Sequence, residues 1–480
     1  MIGSACRAAC ALALALTVSA CGGGGGSGGA APPPVVTPPA NGHVDWPVYA
    51  YDATRSGKNP SETAIGRTNV SSLKPRWSFA TSGPIVAQPV LAANIAVGGA
   101  YVDLLYVADE SGTVYALNAA TGAPVWSAGY GTSGNTCGDL PSWGITSTPV
   151  IDRGQHGVFV ADGLGQVHGL DLATGKPLAT WPAGVFVLRS TNYEYVYSAL
   201  ALSPSGTLYV ANASYCDAEP YQGAIVALDD RSGAKTASWL PQTAPNDADG
   251  IWGAGGVTAD PRGNGDVYVA TGNADPESAP FSDAVVRLSA SLAPVSTANL
   301  YSPAMDDDDF GANPVTFAAP GCPAQLAVEQ KSGLLYLFNA DALASGPVQM
   351  LAIGTPSMQG LNVNAAAYDA ASAMLFVGNG TANAPYVQGL LAFSLANCRL
   401  ALAWQRAGAG PSPLSGPTIA NGVVYYATGS GANVAAYDES TGTPLWTSPA
   451  FGGPSYSPPT VVNGVVYATS FDRHVYAFGP

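Results

Sequence analysis

The chain has 480 residues, of which 47% are apolar and only 10% charged, with 58 glycines, 39 prolines and a formal charge of −15. So much Gly and Pro beside so few charges excludes a helical bundle or coiled coil, and the apolar content excludes a wholly disordered chain. The acidic balance excludes general nucleic-acid binding, which needs clustered Lys and Arg, and leaves a turn-rich, all-β protein.

Residues 1–20 read as an export signal. Arg7 is their lone charge, and the apolar run over residues 11–20 is too short to cross a bilayer as a helix. Val18-Ser19-Ala20-Cys21 resembles the bacterial lipobox, which implies cleavage before Cys21 and acylation of its thiol. Gly22 behind it resembles lipoproteins sorted to the outer membrane. The expected location is therefore the cell envelope, lipid-anchored at the outer membrane and facing the periplasm. Residues 21–44 form a tether, flexible where Gly and Ser dominate and stiffer where Pro does. Four cysteines fall in the body, Cys137, Cys216, Cys322 and Cys398; export permits disulfides, and three pairings stay open. None sits in a CxxCH pair, so no haem is expected.

The body, residues 45–480, repeats itself. Residues 114–126 read VYALNAATGAPVW, 167–181 VHGLDLATGKPLATW, 225–239 IVALDDRSGAKTASW and 434–446 VAAYDESTGTPLW, and weaker copies start at Val285, Leu335, Leu390 and Val475. The third residues of these copies, from Ala116 to Ala477, are 41 to 60 residues apart. Upstream of each lies a β-branched and aromatic run such as LLYVAD or VVYYAT, and before that a short strand that often holds Pro. Downstream come a Thr-Gly or Ser-Gly turn and, in the stronger copies, a Trp-bearing strand. Each unit thus offers four short strands. One such sheet cannot bury both faces, whereas eight around an axis can; the repeat predicts an eight-bladed β-propeller. The last copy stops at Pro480 before any Trp strand, and KPRWSF at residues 74–79 has the missing strand's character. The N-terminal strand is expected to complete the last blade, leaving no open edge.

The pattern Ala-x-Asp/Asn-x-x-Thr-Gly-x-x-x-Trp, carried by Ala116, Gly122 and Trp126 and again by Ala436, Gly442 and Trp446, resembles the tryptophan-docking repeat of pyrroloquinoline quinone (PQQ) enzymes and their non-enzymatic relatives. The resemblance implies a propeller of the quinoprotein alcohol dehydrogenase type, each repeat Trp packed between neighbouring blades. It also implies a site for PQQ and calcium. Trp252 corresponds to the floor under the quinone, where an indole stacks on a planar ring. Asn273, in Thr271-Gly272-Asn273, matches a calcium ligand, its amide oxygen suiting a hard cation. Lys331 resembles the cation that stabilises negative charge as the quinone accepts a hydride. Asp307 and Asp309 are the candidates for the base that takes the substrate's hydroxyl proton, Asp307 also for calcium. Glu219 stands near the family's calcium carboxylate, and Trp143 and Asn364 complete the candidate cofactor contacts. The chain also departs from the family. Where the dehydrogenases carry two adjacent cysteines and then an arginine, it has Cys137-Gly138 and, farther on, Trp143, losing the disulfide cover and one anion partner.

Other chemistry finds little support. The histidines, His43, His156, His168 and His474, lack zinc spacing, and the single Gly-x-Ser-x-Gly match lies in the tether. Two functions stay open. One is a calcium- and PQQ-dependent dehydrogenase oxidising an alcohol or polyol, which must hand electrons to an external acceptor. The other is a lipidated scaffold similar to the propeller lipoproteins that assist outer-membrane assembly, binding protein partners through strand edges and the loops at residues 129–143 and 211–223. The order of Trp252, Asn273, the Asp cluster and Lys331 favours the first.

Overall fold

The computed structural model describes residues 41–134, 140, 142–242, 248–274, 279–300, 309–356, 363–408, 415–428 and 432–480. The readings at Cys21, Cys137, Gly138 and Asp307, and residues 1–40 as a whole, lie outside them.

Eight sheets of four or five strands make up the described body. Blade 1 shows the plan: Val90–Val97, Ala100–Ala108, Thr113–Asn118 and Pro124–Gly129 pair in order, each antiparallel to the next. Blades 2 to 7 follow over residues 150–186, 201–239, 258–299, 315–352, 367–407 and 417–447. Blade 8 takes three strands from residues 460–479 and its outermost from Lys74–Ala80, which pairs antiparallel with His474–Gly479. The ring is closed as the repeat predicts. Every repeat anchor lies on the third strand of its blade. Ala116, Ala392 and Ala436 face Trp126, Trp404 and Trp446 on the outer strand, and Ala477 faces Trp77 across the closing pair.

The second strands read as unbroken apolar runs because blades stack face to face and bury both surfaces; the last five residues of Ala100–Ala108 and the first five of Val423–Thr428 are all buried. The repeat Trp residues seal the seams. The indole N–H of Trp126, in blade 1, donates to Leu172 O in blade 2 at 2.9 Å, and Trp77 joins blade 8 to Ala119 O of blade 1 at 3.1 Å. At the Thr-Gly turn of the next blade, Gly122 and Gly175 have positive φ, and a Cβ would lie 2.6 and 2.5 Å from Trp77 and Trp126. Gly is needed there twice over, for conformation and for space.

A second device closes the axis. Residues 46–59 run past the inner edge of every blade: Trp46 bridges Leu91, Pro47 O accepts from Ile151, and Ala53, Thr54, Ser56 and Gly57 accept from the first strands of blades 4 to 7. Arg55, wholly buried, donates to Leu200 O in blade 3 and Val257 O in blade 4, and Asn59 to Val461 O in blade 8. One disulfide, Cys322–Cys398, ties a turn of blade 5 to a turn of blade 6, and Cys216 is also disulfide-bonded.

Candidate active site

In an antiparallel blade the start of the first strand and the end of the second lie at the same end of the sheet. Segments before the first strands of blades 2 to 5 therefore meet segments after the second strands of blades 3 to 5. They enclose a cavity of about 200 Å³. Trp143, Tyr197, Trp252 and Asp309 come from the first set, and Asp217, Tyr221 and Lys331 from the second.

Trp252 follows Gly250 and Ile251, whose backbone groups bond to Gly272 N–H and Asn212 O. Its indole packs on Gly311, where a Cβ would stand 2.2 Å from the ring, so only glycine leaves the floor flat. Lys331 Nζ lies over the indole, 5.1 Å from the centroid, a cation–π contact. The same ammonium pairs with Asp309 Oδ2 at 2.9 Å, the two side chains being 8% and 6% exposed. Asp309 Oδ1 accepts the Asn273 backbone N–H at 2.6 Å, and Lys331 N–H donates to Asp309 O at 3.1 Å. Gly272 permits this approach, since a Cβ there would lie 2.8 Å from Asp309 Oδ1. Four sequence candidates, Trp252, Asn273, Asp309 and Lys331, are thus brought to one corner.

Trp143 forms the opposite wall, 5% exposed, edge-on to Tyr195 at 4.7 Å and Tyr215 at 5.2 Å. Tyr197 stands between the walls, 6.0 Å from Trp143 and 6.4 Å from Trp252. Burial raises the Tyr197 hydroxyl far above its ordinary pKa, with the Glu110 charge adding to the effect. Burial likewise raises Tyr221, helped by Asp217 and Asp309.

Two candidates stand elsewhere. Glu219 is exposed and outside the lining. Asp217 and Tyr221 line the cavity from that loop and meet at 3.4 Å, while Glu219 and Pro220 between them are exposed. Asn364 is buried beside Glu329, away from the lining. With Glu219 outside, no group of three or more His, Cys, Asp or Glu side chains among the described residues is placed to hold a metal. Sequence reasoning missed Tyr197, Asp217, Tyr221 and Glu110. Their segments carry no repeat pattern, and an acid where the second strand of blade 1 ends was the one available signal.

The cavity is an aromatic slot with one buried ammonium–carboxylate pair on its floor. It suits a flat ring stacked on Trp252, with Lys331 beside the ring's polar atoms and Asp309 within reach of a hydroxyl.

Family models agree with this architecture. Residues 46–280 match the β-propeller domain of glucose, ethanol and alcohol dehydrogenases, and residues 399–479 match the outer membrane protein assembly factor BamB. The chain is a PQQ-type repeat propeller, a class that holds both kinds of protein. It is 28% identical over 320 residues to a polyvinylalcohol dehydrogenase of a Pseudomonas species, covering 59% of this chain and 47% of the other; it thus spans about half the length of that relative. Among solved structures it superimposes on the quinohemoprotein alcohol dehydrogenase of Comamonas testosteroni with a TM-score of 0.68 at 15% identity, over 91% of this chain and 80% of that one. A europium-containing methanol dehydrogenase gives 0.71 at 15% identity, over 91% and 98%. BamB of Moraxella catarrhalis gives 0.56 at 17% identity, over 85% and 100%.

Proposed function

We propose that this chain is a quinoprotein dehydrogenase that binds PQQ on Trp252 and oxidises an alcohol, with electrons passing to an external acceptor. The observation that carries the reading is the convergence of Trp252, Lys331 and Asp309 in one cavity, from three separate segments. The residues fit the quinone: Trp252 lies flat on Gly311 and supplies a stacking face, Trp143 and Tyr197 exclude water from the sides, and Lys331 supplies the charge. Bound there, the quinone would supply the acceptor for the hydride of an alcohol carbon. Lys331 is placed to hold a quinone oxygen, and Asp309 to take the hydroxyl proton while the Asn273 N–H keeps its carboxylate oriented. The described residues do not assemble the calcium set read from the sequence: Glu219 points away, and Asp309 is already engaged on both oxygens. The polyvinylalcohol dehydrogenase relative makes a secondary alcohol the first substrate to try, and the Cys21 tether supports work at a membrane surface of the cell envelope.

The test is to mix the purified mature chain with PQQ, with and without calcium, and to follow dye reduction with primary alcohols, secondary alcohols and poly(vinyl alcohol). The expected result is a bound-quinone spectrum and turnover. Asp309→Asn should keep the spectrum and lose about 10²- to 10⁴-fold in rate, the usual worth of a positioned base. If neither spectrum nor turnover appears, the reading fails. The assembly-factor match over residues 399–479 then favours the scaffold, for which co-purification of envelope proteins is the measurement.

A further inference from the structure

Behind the Trp143 wall lies a carboxyl group that the chemistry above does not use. Glu110 is wholly buried at the exit of the second strand of blade 1. Its Oε2 accepts the Gly144 N–H at 2.7 Å, and its Oε1 lies 2.6 Å from Thr146 Oγ1. Thr146 Oγ1 meets the Tyr195 hydroxyl, which in turn reaches Gly144 O at 3.1 Å. Ser142 Oγ donates to the Glu110 carbonyl at 2.7 Å. The residues on either side of Trp143 are therefore fastened to Glu110, and Trp143 rests edge-on against Tyr195.

The protons in this ring can be counted. With Glu110 protonated on Oε1, Glu110 donates to Thr146, Thr146 to Tyr195 and Tyr195 to Gly144 O, while Gly144 N–H donates back to Oε2. Every donor and acceptor is satisfied. With Glu110 ionised, Thr146 turns to donate to the carboxylate, and the one Tyr195 proton cannot serve both Thr146 Oγ1 and Gly144 O. Either the close Thr146–Tyr195 contact loses its proton or Gly144 O loses its donor, and the ring that fastens the residue after Trp143 is broken.

We propose that Glu110 is the positioning residue of the cavity's outer wall, holding Trp143 in place as the neutral acid and releasing it on ionisation. The groups facing Glu110 are Asp109 on its own loop, Tyr195 and Tyr197 on the segment before blade 3, and Tyr215 after the second strand of that blade. None of these is cationic, so none favours the ionised form. Burial raises the Glu110 carboxyl to about 7, against the opposing hydrogen bonds from Thr146 and Gly144, which puts the change at neutral pH. Ionisation would also set a negative charge behind a slot read as taking an anionic quinone. That second consequence rests on the proposed function; the first does not.

The experiment uses the whole ligand-free chain, titrated from about pH 5.5 to about pH 8.5. The readout is the difference in tryptophan fluorescence between wild type and Trp143→Phe, which isolates the Trp143 signal. A transition near pH 7 is expected in the wild type. In Glu110→Gln, whose amide donates to Thr146 and accepts from Gly144 at every pH, the difference should stay flat. Tyr195→Phe, which breaks the ring while keeping the carboxyl, should move the midpoint down. A flat wild-type curve overturns the proposal, as does a transition shared unchanged by Glu110→Gln, or by Tyr195→Phe should the glutamine variant not fold. In a second arm, PQQ affinity should fall about tenfold across the same transition, an ordinary coupling between linked sites. PQQ that fails to bind at any pH counts against the functional reading and leaves the fluorescence result to judge Glu110.

Discussion

At the scale of single residues, Lys331 and Asp309 form a buried ion pair in the cavity. Both side chains are almost fully withdrawn from water, and each is the other's charge partner at 2.9 Å. Removing one member of a buried pair strands the other, whereas replacing both with apolar groups can be nearly neutral. Lys331→Met should therefore lose about 3–5 kcal/mol in urea unfolding, and the double variant Lys331→Met/Asp309→Leu should recover most of that loss. A single-variant loss below about 1 kcal/mol would mean that water screens the pair as it does at a surface. This corner was legible through the resemblance to the quinone enzymes, whose order Trp252, Asn273, the Asp cluster and Lys331 follow; its segments flank strand ends, so order along the chain maps onto position around the ring. Glu219 misled for a physical reason. It sits in a loop between strands, where one residue of slip exchanges inward for outward, and no period constrains the slip. Glu110 was hidden otherwise. Its partners are 32 to 36 residues away along the chain in the next blade's approach, and nothing local marks them.

At the scale of elements, the seam between blades is a Trp laid on a glycine of the neighbouring turn. Gly122 combines φ +73° with Trp77 at 2.6 Å from a would-be Cβ, while Gly98 has φ +59° with nothing within 4 Å. The two positions separate backbone strain from crowding. Gly98→Ala should cost about 1–2 kcal/mol, the price of a left-handed residue alone. Gly122→Ala adds overpacking against an indole that also holds a hydrogen bond, and should cost about 2–4 kcal/mol. Chemical denaturation of the two variants side by side is the measurement, and equal losses would show that Trp77 simply moves aside. These seams were readable because Thr-Gly and Trp recur at a fixed offset. The inner strap of residues 46–59 was not. It gives each blade one or two hydrogen bonds, follows no period, and places a charged Arg55 where composition would call for an apolar residue.

At the scale of the whole molecule, buried acids set the pH at which the ring is firmest. Glu110 has an ordinary carboxyl value of 4.5 when unfolded and about 7 in the fold, raised by burial, so between these values the native state holds a proton that the unfolded state has lost. Stability then falls as pH rises through that window, by about 3 kcal/mol for this group, and is flat again above it. Glu329, raised well above its ordinary range by burial and only partly opposed by the Asn364 backbone N–H, acts in the same direction. The surface acids act oppositely. Asp341, held low first by its hydrogen bond from Arg262, and Asp229, held low by the Ser232 hydroxyl, contribute stability that disappears as pH falls through the ordinary Asp value. Self-repulsion in a chain carrying −15 grows as pH rises, which adds to the alkaline side of the balance. Thermal unfolding should accordingly show its highest midpoint in mildly acidic buffer, about pH 5, with a decline toward pH 8 rather than the usual plateau. In Glu110→Gln that decline should shrink by roughly the share assigned to one buried carboxyl. An unfolding midpoint that climbs from pH 5 to pH 8 would mean that Glu110 and Glu329 reach water in the native ring.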